Sequence, residues 1–168
     1  MSDTVVVVDD NDEIIRIRPR SEQRPDERTR MTVVWVQNSQ GELLIAQRSR
    51  HKKNYPNLWG PACAGTVEEG ETYGQNAIKE LHEEIGLTGF PLQKMQKVRW
   101  DGGPGDIRMG MNYMVMCDWP AEEFKLQQTE VDNVRWISKE KLLQELAETP
   151  EIYLSNTLKW LELLHLVD

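Results

Sequence analysis

Cysteine is scarce in this 168-residue chain: Cys63 and Cys117 are the only two, too few for a disulfide framework. Such usage suits a reducing cytoplasm. Long apolar runs are missing as well. No stretch approaches the roughly 20 apolar residues of a membrane span. Val5 to Val8 is too short for a signal-peptide core, and Asp3 precedes it where a positive region is needed. A soluble, cytoplasmic protein without membrane contact is expected. Basic residues are in deficit, with 20 Lys and Arg against 28 Asp and Glu and a formal charge of −8. That balance argues against polymeric nucleic acid or an anionic membrane as partner, where a basic patch should dominate. It leaves a polyphosphate substrate open, because a bound cation reverses the local sign.

Repeats and low-complexity tracts are also absent. An apolar content of 39% and a charged content of 29% are ordinary for a globular protein, and residues 1–168 fit one domain. Thr4 to Ile17 reads as two short β-branched strands around Asp9-Asp10-Asn11-Asp12. That turn hints at calcium but lacks the glycine and glutamate of a calcium loop, so a solvated hairpin turn is expected. Arg18 to Glu27 is a polar connector, and Met31–Gln37 and Glu42–Gln47 form a hairpin around Asn38 to Gly41. A loop rich in Lys, Asn and Pro runs from Arg48 to Trp59, and Ala62 to Val67 suggests a short strand.

From Thr72 to Ile85 the period turns helical: Ala77, Leu81 and Ile85 recur every fourth residue with Ile78 alongside. Thr72 suits an N-cap and Gly86 a left-handed C-terminal residue. Val98–Trp100, Met109–Cys117 and Val131–Ile137 read as further strands, the first two flanking the loop Asp101 to Asp106. Ser138 caps a helix over Lys139 to Glu148. Thr149-Pro150 then opens a last helix reaching about residue 166, with Leu154, Leu158, Leu161 and His165 on one face. Strands interleaved with helices indicate a mixed α/β or α+β domain.

Chemistry concentrates on the first long helix. Glu80, Glu83 and Glu84 stand at i, i+3 and i+4, so all three carboxylates share one face, away from Leu81, Ala77 and Ile85. Like charges so placed repel by a few tenths of a kcal/mol per pair on an isolated helix. That arrangement gains a use when a hard cation takes the oxygens. The bland alternative is a solvated acidic surface.

The frame around the glutamates decides against it. The segment GTVEEGETYGQNAIKELHEEIGL closely resembles the Nudix box, with Gly65, Glu71, Glu80, Leu81, Glu83, Glu84, Gly86 and Leu87 on the pattern. At average residue frequencies a chance match is on the order of one in 10⁸ per starting position. One position departs: Lys79 stands where the family has arginine. The resemblance implies that this residue pairs with Glu71, and lysine, lacking the planar fork, should pair more loosely.

The same resemblance implies a Nudix-like α/β/α sandwich with a mixed sheet and an Mg²⁺ or Mn²⁺ cofactor. Glu80 and Glu84 would be the principal ligands, Glu83 would assist, and the Gly65 carbonyl would be available. Glu83 and Glu130 are candidate general bases, with Glu123 and Asp106 also open. Arg48, Arg50, Lys52 and Lys53 form a local basic cluster fit to face phosphate. Trp59 and Trp100 could stack on a base, or belong to the core. His82 should sit exposed on the helix, and His51 and His165 lack metal-ligand companions.

The segments GELLIAQRSRHKKNYPNLW and EVDNVRW are similar to the Nudix branch that includes isopentenyl diphosphate isomerases. An isomerase needs a cysteine just before the box glycine and a histidine just after it. Ala64 and Thr66 stand there instead, and Cys63 is one residue early, so a strand would turn it to the other face. Expected, then, is a metal-dependent pyrophosphohydrolase acting on a small nucleotide or pyrophosphate substrate. A non-catalytic nucleotide-binding module is a rival, and a homodimer remains open.

Overall fold

A computed structural model describes residues 3–167. Nine strands form one sheet: β1 (Thr4–Val8), β2 (Ile14–Pro19), β3 (Arg28–Gln37), β4 (Leu43–Arg48), β5 (Trp59–Gly60), β6 (Cys63–Thr66), β7 (Gln93–Asp101), β8 (Ile107–Met116) and β9 (Val131–Ile137). The helices are α1 (Tyr73–Ile85), α2 (Lys139–Glu148) and α3 (Thr157–Leu163). β3 is the hub. It pairs with β1, β4 and β6 antiparallel and with β8 in parallel from Thr29↔Arg108 to Gln37↔Met116, which makes the sheet mixed.

Both faces of the sheet are covered, and the strand sequences follow from that. On β3, Val34 and Val36 face the core shared with Ala77, Leu81 and Ile85 of α1. Val33 and Trp35 face the core shared with Leu142 of α2 and Leu161 of α3. On β4, Leu44 and Ala46 join the first core, and Leu43 and Ile45 the second. Side chains alternate with period two, so a strand covered on both sides reads as one apolar run. The result is the α/β/α sandwich the sequence implied.

Helix α1 begins at a capping box. Thr72 Oγ1 accepts from the Gln75 N–H at 3.2 Å and Gln75 Oε1 accepts from the Thr72 N–H at 2.9 Å. It ends at Gly86, where φ is 71° and the N–H donates to the His82 carbonyl at 3.1 Å. Burying Leu81 and Ile85 contributes about 1.5–3 kcal/mol each. Ile78 departs from expectation. It stays 58% exposed, one position off the apolar stripe.

Three further readings need correction. Arg28 to Arg30 belong to β3, because the Arg28 guanidinium is buried against Asp101 and main-chain carbonyls rather than solvated. Pro150 starts only a 3-10 turn. The chain then extends so that Tyr153 bridges to Trp59, and α3 begins at Thr157 with Thr157, Trp160 and Leu161 inward. Leu158 is exposed, and His165 lies past the helix at φ 52°. Finally, the acidic turn is not solvated throughout. Asp12 is 7% exposed and accepts from Arg30 Nε at 2.7 Å, from the Tyr73 hydroxyl at 2.9 Å and from Lys97. Burial pushes its carboxyl up, but the bonds from Lys97, Arg30 and Tyr73 outweigh burial and lower it.

Candidate active site

Helix α1 and strand β6 line a cavity of about 730 Å³ together with the loop after β4 and the chain entering α3. Glu80, Glu83 and Glu84 all line it. Burial raises the Glu80 carboxyl to about 7; Glu83, Glu71 and Glu130 push the same way and Lys79 opposes. Glu84 goes further, to about 8, through burial first and then the charges of Glu80 and Glu130, against Lys52 and Arg48. Glu83 is the exposed member of the trio.

The backbone around these carboxylates is built for close approach. A Cβ on Gly65 would collide with the Glu80 carboxyl, so only glycine lets β6 pass at this point. Glu71 ties the preceding loop to the helix. It accepts from the Glu68 N–H and from Asn76 Nδ2, each at 2.9 Å, and pairs with Lys79 Nζ at 2.6 Å. The Glu71–Lys79 contact is therefore close, not loose, although it is a single point. Lys79 also reaches Glu68 at 3.7 Å and Glu80 at 4.0 Å, one ammonium shared by three carboxylates. These carboxylates raise its pKa against the opposing effect of burial.

Asn76, fully buried, went unnoticed in the sequence. Its Nδ2 donates to the Thr66 carbonyl at 3.1 Å and lies 3.4 Å from Glu80 Oε1, while Thr32 Oγ1 donates to its carbonyl oxygen. It locks α1 to β6 and β3 directly beneath the carboxylates.

Arg48, Lys52 and Lys53 line the same cavity. Arg48 holds the loop by donating to the Tyr55 and Asn54 carbonyls at 3.2 and 3.1 Å. Lys52 pairs directly with Glu130, which also lines the cavity. Arg50 is placed elsewhere: its Nε pairs with Asp132 at 3.2 Å, and its own backbone N–H donates to the same carboxylate at 3.1 Å. Trp59 is also outside, packed in the second core with the Arg135 guanidinium 4.7 Å over its ring. Trp100 packs edge-on against Trp160 and donates to Asp106 at 2.9 Å. Asp106 and His51 line the cavity, and Glu123 does not. His82 is exposed on α1.

Arg20 and Arg108 complete the charged wall, and no local pattern marked either. Parallel pairing of β3 with β8 carries Arg108 in from a distant segment. Burial lowers its pKa, with Arg20 adding and Asp106 opposing. Ala64 and Thr66 face the cavity, whereas Cys63 points into the first core with its thiol pushed well up by burial and by Glu84 and Glu80. No residue of β8, IRMGMNYMVM, is a carboxylate. The cavity thus has neither a thiol nor a carboxylate from β8. It offers instead a cluster of carboxylate oxygens together with cationic side chains, which suits a divalent ion and a phosphate chain. Among the described residues no three Asp, Glu, His or Cys side chains yet close on a single point.

Comparison with known proteins gives the family. The model of the NUDIX domain matches residues 26–158. An uncharacterized Nudix hydrolase of Pseudomonas aeruginosa is 32% identical over 165 residues, covering 96% of this chain and 93% of that one. An isopentenyl-diphosphate Delta-isomerase of Pectobacterium atrosepticum is 28% identical over 151 residues, covering 88% and 83%. A crystal structure from Deinococcus radiodurans superposes with a TM-score of 0.75 at 22% identity, over 87% of this chain and 90% of the other. The chain belongs to the Nudix hydrolase family.

Proposed function

We propose that this chain is a divalent-metal hydrolase that cleaves a phosphoanhydride bond in a nucleoside diphosphate-linked or related pyrophosphate substrate, using water. One observation carries the reading. Glu80 and Glu84, one helical turn apart, are largely withdrawn from water at a cavity that Arg48, Lys52 and Lys53 also line. Lys79 beside Glu80, and Lys52 and Arg48 near Glu84, offset only part of the cost of withdrawing two neighbouring carboxylates from water, since both carboxyls stay raised. A hard cation removes that cost by taking their oxygens.

In this reading Glu80 and Glu84 hold Mg²⁺ or Mn²⁺, Glu83 assists, and the Gly65 carbonyl is available where β6 passes Glu80. When bound, the ion would neutralise charge on the phosphate oxygens and lower the pKa of a coordinated water. The chain's own part is to place substrate and move a proton. Arg48, Lys52 and Lys53 would hold the phosphates. Glu83, exposed to the cavity, and Glu130, held by Lys52, are the two candidates for taking the proton from water. Glu71 and Lys79 keep the loop against the helix and act through position alone. Arg50 and Trp59, set outside the cavity, drop out of the substrate contacts. Both thiols are buried and unpaired, which suits a reducing cytoplasm.

The test is hydrolysis of a panel of nucleotide diphosphates and pyrophosphates with Mg²⁺ or Mn²⁺, reading released phosphate and pyrophosphate separately. Turnover that stops on chelation supports the reading. Tight nucleotide binding with no turnover would favour the non-catalytic module instead.

A further inference from the structure

Lys52 and Glu130 line the cavity as an ion pair. Lys52 lies in the loop after β4 and Glu130 just before β9, and their main chains are tied together at Ser49. The Ser49 N–H donates to the Glu130 carbonyl at 2.9 Å, and the Ser49 hydroxyl donates to the Gln128 carbonyl at 2.7 Å. The Lys52 N–H donates to the Ser49 carbonyl at 3.1 Å, and the Glu130 N–H to the Gln127 carbonyl at 2.8 Å. Both backbones are therefore held, and what can change partners is the two side chains. These are 27% and 31% exposed, and an ion pair so open to water is weak.

A phosphate chain is the stronger partner for the ammonium. It carries more charge than one carboxylate and accepts charge-assisted bonds on several oxygens. A phosphate held by Lys52 thus takes the ammonium from Glu130, and no other cation pairs with Glu130 among the described residues. The carboxylate so released is near the buried pair of α1, since its charge helps to raise both Glu80 and Glu84.

We propose that Lys52 and Glu130 form a substrate-opened latch, in which a phosphate draws Lys52 away and the freed Glu130 carboxylate takes the proton of the attacking water. The proposal rests on the hydrolase reading above and deepens it, choosing Glu130 over Glu83 as the base and making Lys52 the residue that withholds it. The water oxygen forms the new bond to phosphorus, and the bridging P–O bond breaks with its electron pair on the departing phosphate. The water proton passes to Glu130 and from there to solvent. A carboxylate committed to an ammonium is a poor proton acceptor, so the base is held back until a phosphate is in place.

The competition is read on the full chain with Mg²⁺ and methylenediphosphonate, whose bridging carbon cannot be hydrolysed. Calorimetry gives its Kd for the parent, Lys52→Gln, Glu130→Gln and the double variant, each checked for an unchanged thermal midpoint. Lys52→Gln should weaken binding by about tenfold. Glu130→Gln should tighten it about twofold to fivefold by removing the competitor, and in the Lys52→Gln background most of that gain should vanish. An equal gain in both backgrounds is plain charge repulsion and would overturn the latch, as would failure of the parent to bind the diphosphonate. Turnover of a cleavable diphosphate with Mg²⁺ tests the other half. Glu130→Gln should lower kcat by about 10²-fold without raising KM, and Lys52→Gln should raise KM more than it lowers kcat. Parental kcat in Glu130→Gln contradicts the base role. Parental turnover with uncoupled binding removes the latch and leaves the hydrolase. Coupled binding in a parent that cleaves no phosphoanhydride removes the hydrolase, and the base role with it.

Discussion

In the proposed reading Glu84 is the residue on which the chemistry turns. Its carboxyl is raised to about 8 by burial and by its acidic neighbours, so as a charged group it is a liability to the fold and an asset to a cation. Glu84→Gln keeps size and shape while removing the charge. Metal-dependent turnover should fall by about 10²-fold or more, and the chelated variant should melt higher than the chelated parent above pH 8. Circular dichroism melts in a chelator, with and without the substitution, check the second half; equal midpoints there would mean that Glu84 is not a stressed carboxylate. Lys79 makes the opposite case. It is legible as a departure from the family pattern, yet the expected looseness is absent, because one ammonium at 2.6 Å from Glu71 also serves Glu68 and Glu80. With its side chain 24% exposed, Lys79→Ala should cost about 1 kcal/mol after allowing for solvent screening. Lys79→Arg should hold or raise the thermal midpoint.

At the scale of the element, α1 was readable almost residue by residue. The capping box, the four-residue apolar period and Gly86 are local features, and local features survive in sequence. Ile78 was misjudged because a stripe's edge depends on what packs beside it. The C-terminal helix was misjudged for a related reason: Pro150 can open a helix, but the bridge from Tyr153 to Trp59 pulls the chain straight instead. The carboxylates of α1 also give the element a pH signature. In the unfolded chain Glu80 and Glu84 titrate near 4.5, and in the fold near about 7 and about 8. Between those values the folded state holds protons that the unfolded state has released, so stability falls as pH rises. Chelated protein should therefore lose stability from about pH 4.5 to pH 8, and Mg²⁺ should restore most at the alkaline end. Melting midpoints across that range in chelator and in Mg²⁺ give the check; an unchanging difference between the two would refute it. Asn76→Ala, which strips the buried clamp under the same helix, should cost about 1–3 kcal/mol and lower turnover through misplacement of Glu80.

The whole molecule explains what the sequence could not reveal. Arg20, Trp35, Arg108 and Trp160 meet at one cavity from four distant segments, brought together by the parallel β3–β8 pairing and by the C-terminal segment. None has a neighbour in sequence that would mark it, and Arg50 and Trp59 looked better placed than they are. The N-terminal hairpin is joined to the rest in the same nonlocal way, through Asp12 gripped by Arg30, Lys97 and Tyr73. Asp12→Ala leaves two cations facing each other and should cost about 3 kcal/mol. The carboxyl is lowered in the fold, so this contribution is present above its ordinary value of 3.8 and is lost as pH falls through the lowered one. A parent and variant with equal urea midpoints at pH 7 would contradict it.

The central claim is that the two buried glutamates of α1 serve a cation that drives phosphoanhydride hydrolysis. The most direct measurement is product release from a nucleoside diphosphate-linked panel, run with Mg²⁺ for the parent chain and for Glu84→Gln, with folding checked in parallel. The account predicts turnover of at least one panel member by the parent, its loss on chelation, and about 10²-fold less in a variant that remains folded. Equal turnover by parent and variant, or turnover indifferent to chelation, would contradict it.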